Sequence, residues 1–135
     1  MKKIIFTKSL LLIGLSVFLF SCSKDPGEGG NSSIYGSVWV KNYNSTFTVL
    51  NGKYEGADED VYIIYGDEKG YSDKVSTNYK GEFEFKYLRP GKYTVFIYSK
   101  DSTLQSPSGK IPIIKEVEIT ERKQEVEIPT ITIFN

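Results

Sequence analysis

The chain has 135 residues, with 17 basic and 17 acidic side chains, no histidine and a single cysteine. The even charge balance argues against the clustered basic residues that nucleic-acid binding requires, so we expect no nucleic-acid partner. A single cysteine excludes an intramolecular disulfide, and the lack of histidine removes the commonest general base and metal ligand.

The N-terminus has the layout of a signal peptide. Lys2, Lys3 and Lys8 give it positive charge, and an apolar or small-residue run of 11 residues follows at positions 10–20. That length is typical of a signal-peptide core and too short for a transmembrane helix, which needs roughly 20 residues. We therefore predict a cleaved signal peptide over residues 1–21.

The apolar run ends at Leu19-Phe20-Ser21-Cys22. These four residues resemble the lipobox of bacterial lipoproteins. The resemblance implies that the Cys22 thiol takes a diacylglyceryl group, that cleavage occurs just before Cys22, and that the new N-terminus is acylated. The alternative is an ordinary secretory signal in which Cys22 has no role.

The composition changes after Cys22. Residues 23–33 contain no large apolar side chain and are rich in glycine and serine, so we predict that residues 22–33 are the lipidated cysteine and a flexible tether. The remaining residues, 34–135, are enough for one domain of ordinary size.

Seven short strands are predicted in the domain from alternating apolar and polar side chains. They cover residues 34–41, 61–65, 71–77, 83–87, 93–98, 113–119 and 125–134. Turn residues separate them, and their number and spacing predict a seven-stranded antiparallel β-sandwich. The alternation changes phase in the last strand at Pro129, which indicates a bulge or an edge position there.

Four short motifs follow one another in the middle of the chain. They are Gly56-Ala57, Val61-Tyr62-Ile63, Asn78-Tyr79-Lys80-Gly81-Glu82-Phe83-Glu84-Phe85 and Leu88-Arg89-Pro90-Gly91-Lys92-Tyr93-Thr94-Val95. This series resembles carboxypeptidase regulatory-like domains and Cna-B-type domains, which implies a transthyretin-like (prealbumin-like) sandwich. The stretch 42–60 is longer than the resemblance implies, and it either packs against the sandwich or forms an extra hairpin.

Alternation also assigns side chains to the two faces of the sheets. The predicted core residues are Val61, Ile63, Phe83, Phe85, Tyr87, Tyr93, Val95 and Ile97. The resemblance implies that strand 61–65 lies beside strand 93–98, so Tyr62, Ile64, Phe96 and Tyr98 would share the opposite face. Such a patch is large enough to be an interaction surface, unless residues 42–60 cover it.

Catalysis has little support in the sequence. The Gly-x-Ser-x-Gly, phosphate-loop and dinucleotide fingerprints are missing. Acidic residues at 58–60 and at 67, 68 and 73 could offer oxygen ligands to calcium, but they lack the regular spacing of a calcium loop. We therefore predict neither a catalytic site nor a metal or cofactor.

Together these patterns predict a non-enzymatic binding or accessory module at the bacterial cell envelope. It would be anchored to a membrane, the outer membrane or cell surface, through the lipid on Cys22, and would bind a protein or glycan partner. The alternative is a carbohydrate-binding module whose exposed aromatic rings stack on sugars. An enzyme would require a base and nucleophile pair that the sequence does not offer.

Overall fold

The computed structural model describes residues 25–135, so the predicted signal peptide and Cys22 lie outside the described part. Nine strands make up its regular structure: β1 (Glu28–Tyr43), β2 (Leu50–Glu55), β3 (Asp60–Tyr65), β4 (Asp73–Ser76), β5 (Glu82–Leu88), β6 (Gly91–Lys100), β7 (Lys110–Ile119), β8 (Glu125–Glu127) and β9 (Ile131–Phe134). Between residues 25 and 135 no helix is long and apolar enough to cross a membrane. The all-β prediction is confirmed.

The strands form two sheets. One has five strands arranged around β1, and the other has four in the order β4-β3-β6-β7. At Val38 the backbone N–H donates to Gly81 and the carbonyl accepts from Gly56. Because both groups of a strand residue point to the same side, β5 and β2 lie end to end along one side of β1. β8 and β9 pair with it in parallel.

The two sheets share one hydrophobic core. Its fully buried members come from β1, β3, β5, β6, the end of β7, and the C-terminal segment. They are Ile34, Val38, Val40, Val61, Ile63, Phe83, Phe85, Leu88, Tyr93, Val95, Ile97, Ile119, Ile128, Ile131 and Ile133. The inward positions follow the two-residue period of a strand, which is why alternation in the sequence predicted most of them.

Tyr87 is the exception among the predicted core residues. It is 71% exposed, and Leu88 is buried in its place. The backbone of Tyr87 has a φ of 59°, outside the extended range, so the alternation of β5 breaks there. The prediction that Tyr87 lies in the core is therefore wrong.

The strand count and pairing differ from the prediction. Residues 25–135 form nine strands where the sequence predicts seven, because residues 50–55 form β2 and the last predicted strand is divided into β8 and β9. Pro129 lies between β8 and β9. Ile128 before it and Ile131 and Ile133 after it are therefore all buried, although the alternation of side chains changes phase at the proline. The pairing is also not wholly antiparallel. The chain crosses from β7 to the other sheet at the end where β1 begins, so β8 and β9 run parallel to β1.

The predicted tether is too long. β1 begins at Glu28, and Ser32 and Ser33 are buried. Small residues are needed here for packing, since a Cβ on Gly30 would lie 2.0 Å from the carbonyl oxygen of Leu88. The glycine-rich composition therefore reflects a close approach of two backbones, a pattern that sequence alone does not distinguish from flexibility.

A buried tyrosine hydroxyl fixes the start of β1. Tyr93 is 2% exposed, and its hydroxyl accepts a hydrogen bond of 2.9 Å from the N–H of Gly27. The same hydroxyl donates to the carbonyl of Arg89. Burial raises the pKa of Tyr93, so the hydroxyl keeps its proton over the neutral range. The hydroxyl therefore links the residues just before β1 to the turn between β5 and β6.

Stretch 42–60 forms an extra hairpin, one of the two arrangements expected from the sequence. β2 pairs with the end of β1, with Trp39 opposite Glu55 and Lys41 opposite Lys53. Phe47, in the connecting turn, packs against Tyr43 at 5.7 Å between ring centroids. The hairpin therefore extends the five-stranded sheet.

Removing the Tyr93 hydroxyl tests its role. We expect Tyr93→Phe to lower the free energy of unfolding by about 1–3 kcal/mol, because the buried N–H of Gly27 loses its acceptor. Urea denaturation of the chain from Ser23 measures this. The matched control is Tyr79→Phe, since Tyr79 is 78% exposed and should change stability by less than about 0.5 kcal/mol. Equal stability of the two variants would contradict the assignment.

Candidate functional site

The four residues predicted as an interaction surface lie together on the outer side of the four-stranded sheet. Tyr62 on β3 is directly opposite Phe96 on β6. Ile64 and Tyr98 follow two residues later on the same strands, so they share the same face. The structure therefore brings all four together.

The rings on this face contact one another. Tyr62 is at the centre: its ring stacks on Phe96 at 5.0 Å between centroids with an interplanar angle of 10°, and meets Tyr98 edge-on at 5.7 Å and 75°. Tyr71 packs edge-on against Tyr62 at 5.0 Å and 66°. Offset-stacked and edge-to-face pairs each contribute about 0.5–1.5 kcal/mol beyond area burial. The contacts hold the rings in a defined arrangement.

Sequence reasoning missed two members of the surface, Tyr71 and Ile114. Tyr71 lies just before β4, and Ile114 is directly opposite Phe96 on β7. Extending the pairing from β6 to β7 would have found Ile114. The strand predicted over residues 71–77 begins only at Asp73, so Tyr71 lies in a loop whose path the alternation does not predict. We call the complete surface the aromatic face. It consists of Tyr62, Ile64, Tyr71, Phe96, Tyr98 and Ile114.

The aromatic face is open in the described part of the chain. Tyr71, Tyr98 and Ile114 are 59%, 47% and 56% exposed, and the other members are half-buried. Stretch 42–60, which could have covered this face, instead pairs through β2 with the opposite sheet. Packing against the core or against the β1–β2 hairpin does not explain why these apolar side chains face the solvent.

Charged groups border the face on the β4 side. Lys74 is opposite Tyr62 in the strand register. Its Nζ atom lies 3.4 Å from the Oδ2 atom of Asp60. This hydrogen bond and charge raise the pKa of Lys74. Asp60 also accepts a hydrogen bond of 3.1 Å from the Ser76 hydroxyl. Across residues 25–135, no three His, Cys, Asp or Glu side chains are grouped as a metal site would need.

The loop between β6 and β7 borders the face at its other end. Its carboxylate hub is Asp101, which accepts hydrogen bonds from the N–H groups of Thr103, Gln105 and Ser106 at 2.7–3.0 Å and from the Thr103 hydroxyl at 2.6 Å. These donors, first the Thr103 hydroxyl, lower the pKa of Asp101 to about 2. One side chain thus organises the turn.

The outer face of the other sheet has a different character. An open cleft of about 820 Å³ runs from Tyr35 on this face to Val75 and Ser76 of β4 in the four-stranded sheet. Glutamates surround it, because Glu84 and Glu127 are opposite Tyr35 on either side and Glu82 and Glu125 lie next to them. An apolar partner would have to desolvate these carboxylates. The aromatic face is therefore the better candidate for binding.

Cys22, the predicted lipidation residue, lies outside the described residues. The first described residues are held to the domain: the Nε group of Arg89 donates a hydrogen bond of 2.7 Å to the carbonyl of Asp25. Only residues 23 and 24 separate this fixed point from Cys22.

Comparison with known proteins assigns no family. No protein-family model matches the chain, and no curated protein matches it. Among solved structures it is similar to a candidate carbohydrate-binding protein from Pseudomonas aeruginosa, with 14% identity, a TM-score of 0.49, and coverage of 81% of this chain and 91% of that one.

Two enzymes show smaller likenesses. (S)-allantoin synthase is 13% identical with a TM-score of 0.40 over 76% of this chain and 42% of its own. A 9R-lipoxygenase from Cyanothece is 15% identical with a TM-score of 0.38 over 75% of this chain and 16% of its own. The chain thus spans less than half of either enzyme. Likenesses of this size assign neither a fold family nor a function.

The Asp101 hub can be tested by substitution. Asp101→Ala should speed amide hydrogen exchange at Thr103, Gln105 and Ser106, because their acceptor is lost. Asp67→Ala, in an exposed loop, is the control and should leave these amides unchanged. Equal protection in the two variants would contradict the assignment.

The pH dependence of the same hub is a separate test. A carboxyl whose pKa is lowered on folding stabilises the folded state fully above its ordinary value near 4. That contribution declines as the pH falls through about 2, where folded Asp101 takes up its proton. The amide chemical shifts of Thr103 and Ser106 should therefore titrate with a midpoint near 2. A midpoint near 4 would mean that the hydrogen bonds do not form.

Proposed function

We propose that the chain is a non-enzymatic binding module of transthyretin-like β-sandwich type, held at the bacterial outer membrane or cell surface by a lipid on Cys22. The aromatic face is its binding surface. The observation that carries the proposal is this face itself, in which apolar side chains stay exposed on a regular sheet with a defined ring arrangement. Contiguous apolar patches of a few hundred Å² on soluble domains generally mark interaction sites.

Rigidity favours binding at this face. Tyr62 and Phe96 are on paired central strands and stack on each other, so little side-chain freedom remains to be lost when a ligand is bound. Aromatic side chains also offer large contact area for few rotatable bonds. A ligand would therefore meet a surface that is already in its binding shape.

A protein partner fits the composition of the face best. It combines tyrosine and phenylalanine rings with the aliphatic side chains of Ile64 and Ile114, and the Lys74–Asp60 pair lies at its margin. An apolar, aromatic centre with a charged rim is the usual arrangement of protein interfaces. We expect the exposed rings of Tyr71 and Tyr98 to be the main contacts.

A glycan is the second candidate, and one observation favours it. Tyr71 and Tyr98 both pack against the central Tyr62, so two exposed rings with polar hydroxyls stand around one site. Sugars stack their apolar faces on such rings, while hydroxyls and charged groups such as Lys74 would bind sugar oxygens.

The absence of an enzymatic role is part of the proposal. Among residues 25–135 the largest rise in pKa is that of Tyr65, because burial and the nearby carboxylate of Glu28 raise its pKa to about 12. Tyr65 and Asp101 lie near opposite ends of β6. The pKa of Tyr65 is raised by burial and by Glu28, and the pKa of Asp101 is lowered by hydrogen bonds within its own loop. A reaction centre would instead bring a base and a nucleophile within hydrogen-bond reach.

The lipid anchor would place the domain close to the membrane. From Cys22 to Asp25 the chain spans three peptide steps, at most about 11 Å when fully extended. The end of the domain that carries Asp25 and the β5–β6 turn would face the bilayer. The aromatic face, on the side of the sheet, would stay open to partners in the surrounding compartment.

Replacing the exposed rings tests the binding surface. Tyr71→Ser with Tyr98→Ser should abolish binding and leave the far-ultraviolet circular dichroism spectrum unchanged, because both side chains are about half exposed or more. The control replaces Tyr79 and Tyr87, which are equally or more exposed and lie outside the aromatic face. A glycan array and co-purification from native membranes read out the two candidate ligands.

Each outcome of that experiment decides one point. Array signals that only the Tyr71/Tyr98 variant loses would support a glycan ligand. A membrane partner that wild type and control retain, and the variant loses, would support a protein ligand. If wild type and both double variants behave alike in every assay, the aromatic face is not a binding surface.

The anchor has its own test. Mass spectrometry of the N-terminal peptide of the native protein should show an acylated Cys22 as the first residue. Cys22→Ser should release the protein from the membrane fraction or block its processing. An unmodified cysteine, or another first residue, would exclude the lipid anchor and leave the ordinary secretory signal.

A further inference from the structure

The outermost strand of the four-stranded sheet has a free edge. Among the residues from 25 to 135, β7 pairs only with β6, over its whole length of ten residues. This is at the long end for strands in globular proteins. The second side of such a strand presents unpaired N–H and C=O groups that can pair with another strand.

Pro112 shows which groups face the free side. It is opposite Tyr98 and has no N–H, so this position cannot be a hydrogen-bonded pair of the antiparallel ladder. Because bonded and non-bonded pairs alternate, the other even-numbered residues of β7 also direct their backbone groups outward. They are Lys110, Ile114, Glu116 and Glu118. The N–H of Lys110 already donates to the Ser108 hydroxyl and its carbonyl accepts from the Ser106 hydroxyl, so the stretch open to a second strand begins at Pro112.

The same even-numbered residues carry their side chains on the outer face of the sheet, where all are exposed. Their order is basic at one end, apolar in the middle and acidic at the other end. An antiparallel copy of this sequence is complementary to it: with Ile114 opposite itself, Lys110 is opposite Glu118 and Pro112 is opposite Glu116. Opposite charges across a strand pair are stabilising, and like charges are destabilising.

We propose that β7 is a self-pairing edge that binds β7 of a second copy of this chain, antiparallel and centred on Ile114. The pairing joins two four-stranded sheets into one continuous sheet. Both aromatic faces then lie on the same side, next to each other through Ile114. This inference rests on the backbone and charge pattern of β7 and is independent of the function proposed for the face.

Other registers are poorer. A shift of two residues toward the C-terminal end places Glu116 next to the acidic groups of the second copy and leaves Lys110 without Glu118. A shift of one residue turns the outer side chains to the core side. A shift of two residues toward the N-terminal end keeps Lys110 opposite a glutamate, Glu116, but pairs only residues 110–116 of the strand and leaves Glu118 without a charged partner. Charge pairing over the longer overlap therefore favours the register centred on Ile114.

A single introduced cysteine tests this register. The chain from Ser23 contains no cysteine, so a new thiol can bridge only to a second copy. In the proposed register the two Cα atoms of residue 114 are about 5.5 Å apart, within the range of a disulfide. Ile114→Cys should therefore form a covalent dimer under air oxidation, seen as a doubled mass without reductant.

Glu116→Cys is the matched control, because it is equally placed on the outer face of the same strand. In the proposed register its two copies are displaced by four residues, about 14 Å along the strands, which a disulfide cannot span. Dimer from Ile114→Cys alone supports the proposal. Equal crosslinking of both variants, or none with either, overturns it.

Charge exchange gives a readout without crosslinking. Sedimentation equilibrium should show a reversible dimer of the wild-type chain, weakened about tenfold or more by either Lys110→Glu or Glu118→Lys. The double variant restores the opposite-charge pairs and should recover most of the affinity. A monomer at every concentration, or a double variant weaker than either single one, would exclude this pairing.

Discussion

Pairing along β1 is the constraint on which the fold depends. This strand of 16 residues pairs with β5 and β8 over its first half and with β2 and β9 over its second. Ile34, Val38 and Val40 on its inner side are completely buried. A slip of one residue would expose all three, so hydrogen bonding and core packing fix the same register. The four-stranded sheet has only to present an apolar face that packs against these residues.

The sequence predicts the interior of the fold well because buried strands leave a two-residue period. Val61, Ile63, Val95 and Ile97 lie where alternation places them. Prediction fails where another effect acts on the backbone. The left-handed conformation of Tyr87 interrupts the period, and residues 28–33 are ordered by contacts with distant turns although their composition is typical of a flexible segment.

The candidate surface was partly predictable for the same reason. Tyr62, Ile64, Phe96 and Tyr98 are the outer positions of two strands whose inner positions are plain from the sequence. Their pairing came from the resemblance and is present in the structure, while their role in binding stays a prediction. Tyr71 could not be found, because its contact with Tyr62 depends on how the loop before β4 folds back.

Parallel pairing of β9 with β1 has a mechanical consequence. β1 leaves the end of the domain that holds Asp25, and β9 ends beside it at the opposite end, where the N–H of Asn135 donates to Lys41. Tension applied between residues 25 and 135 would pull these neighbours in opposite directions along their length. The hydrogen bonds between them would be loaded together, in shear, and could not open one after another. Forced extension would therefore meet its largest resistance at the first rupture, and the unfolding rate under load would govern the lifetime of the fold.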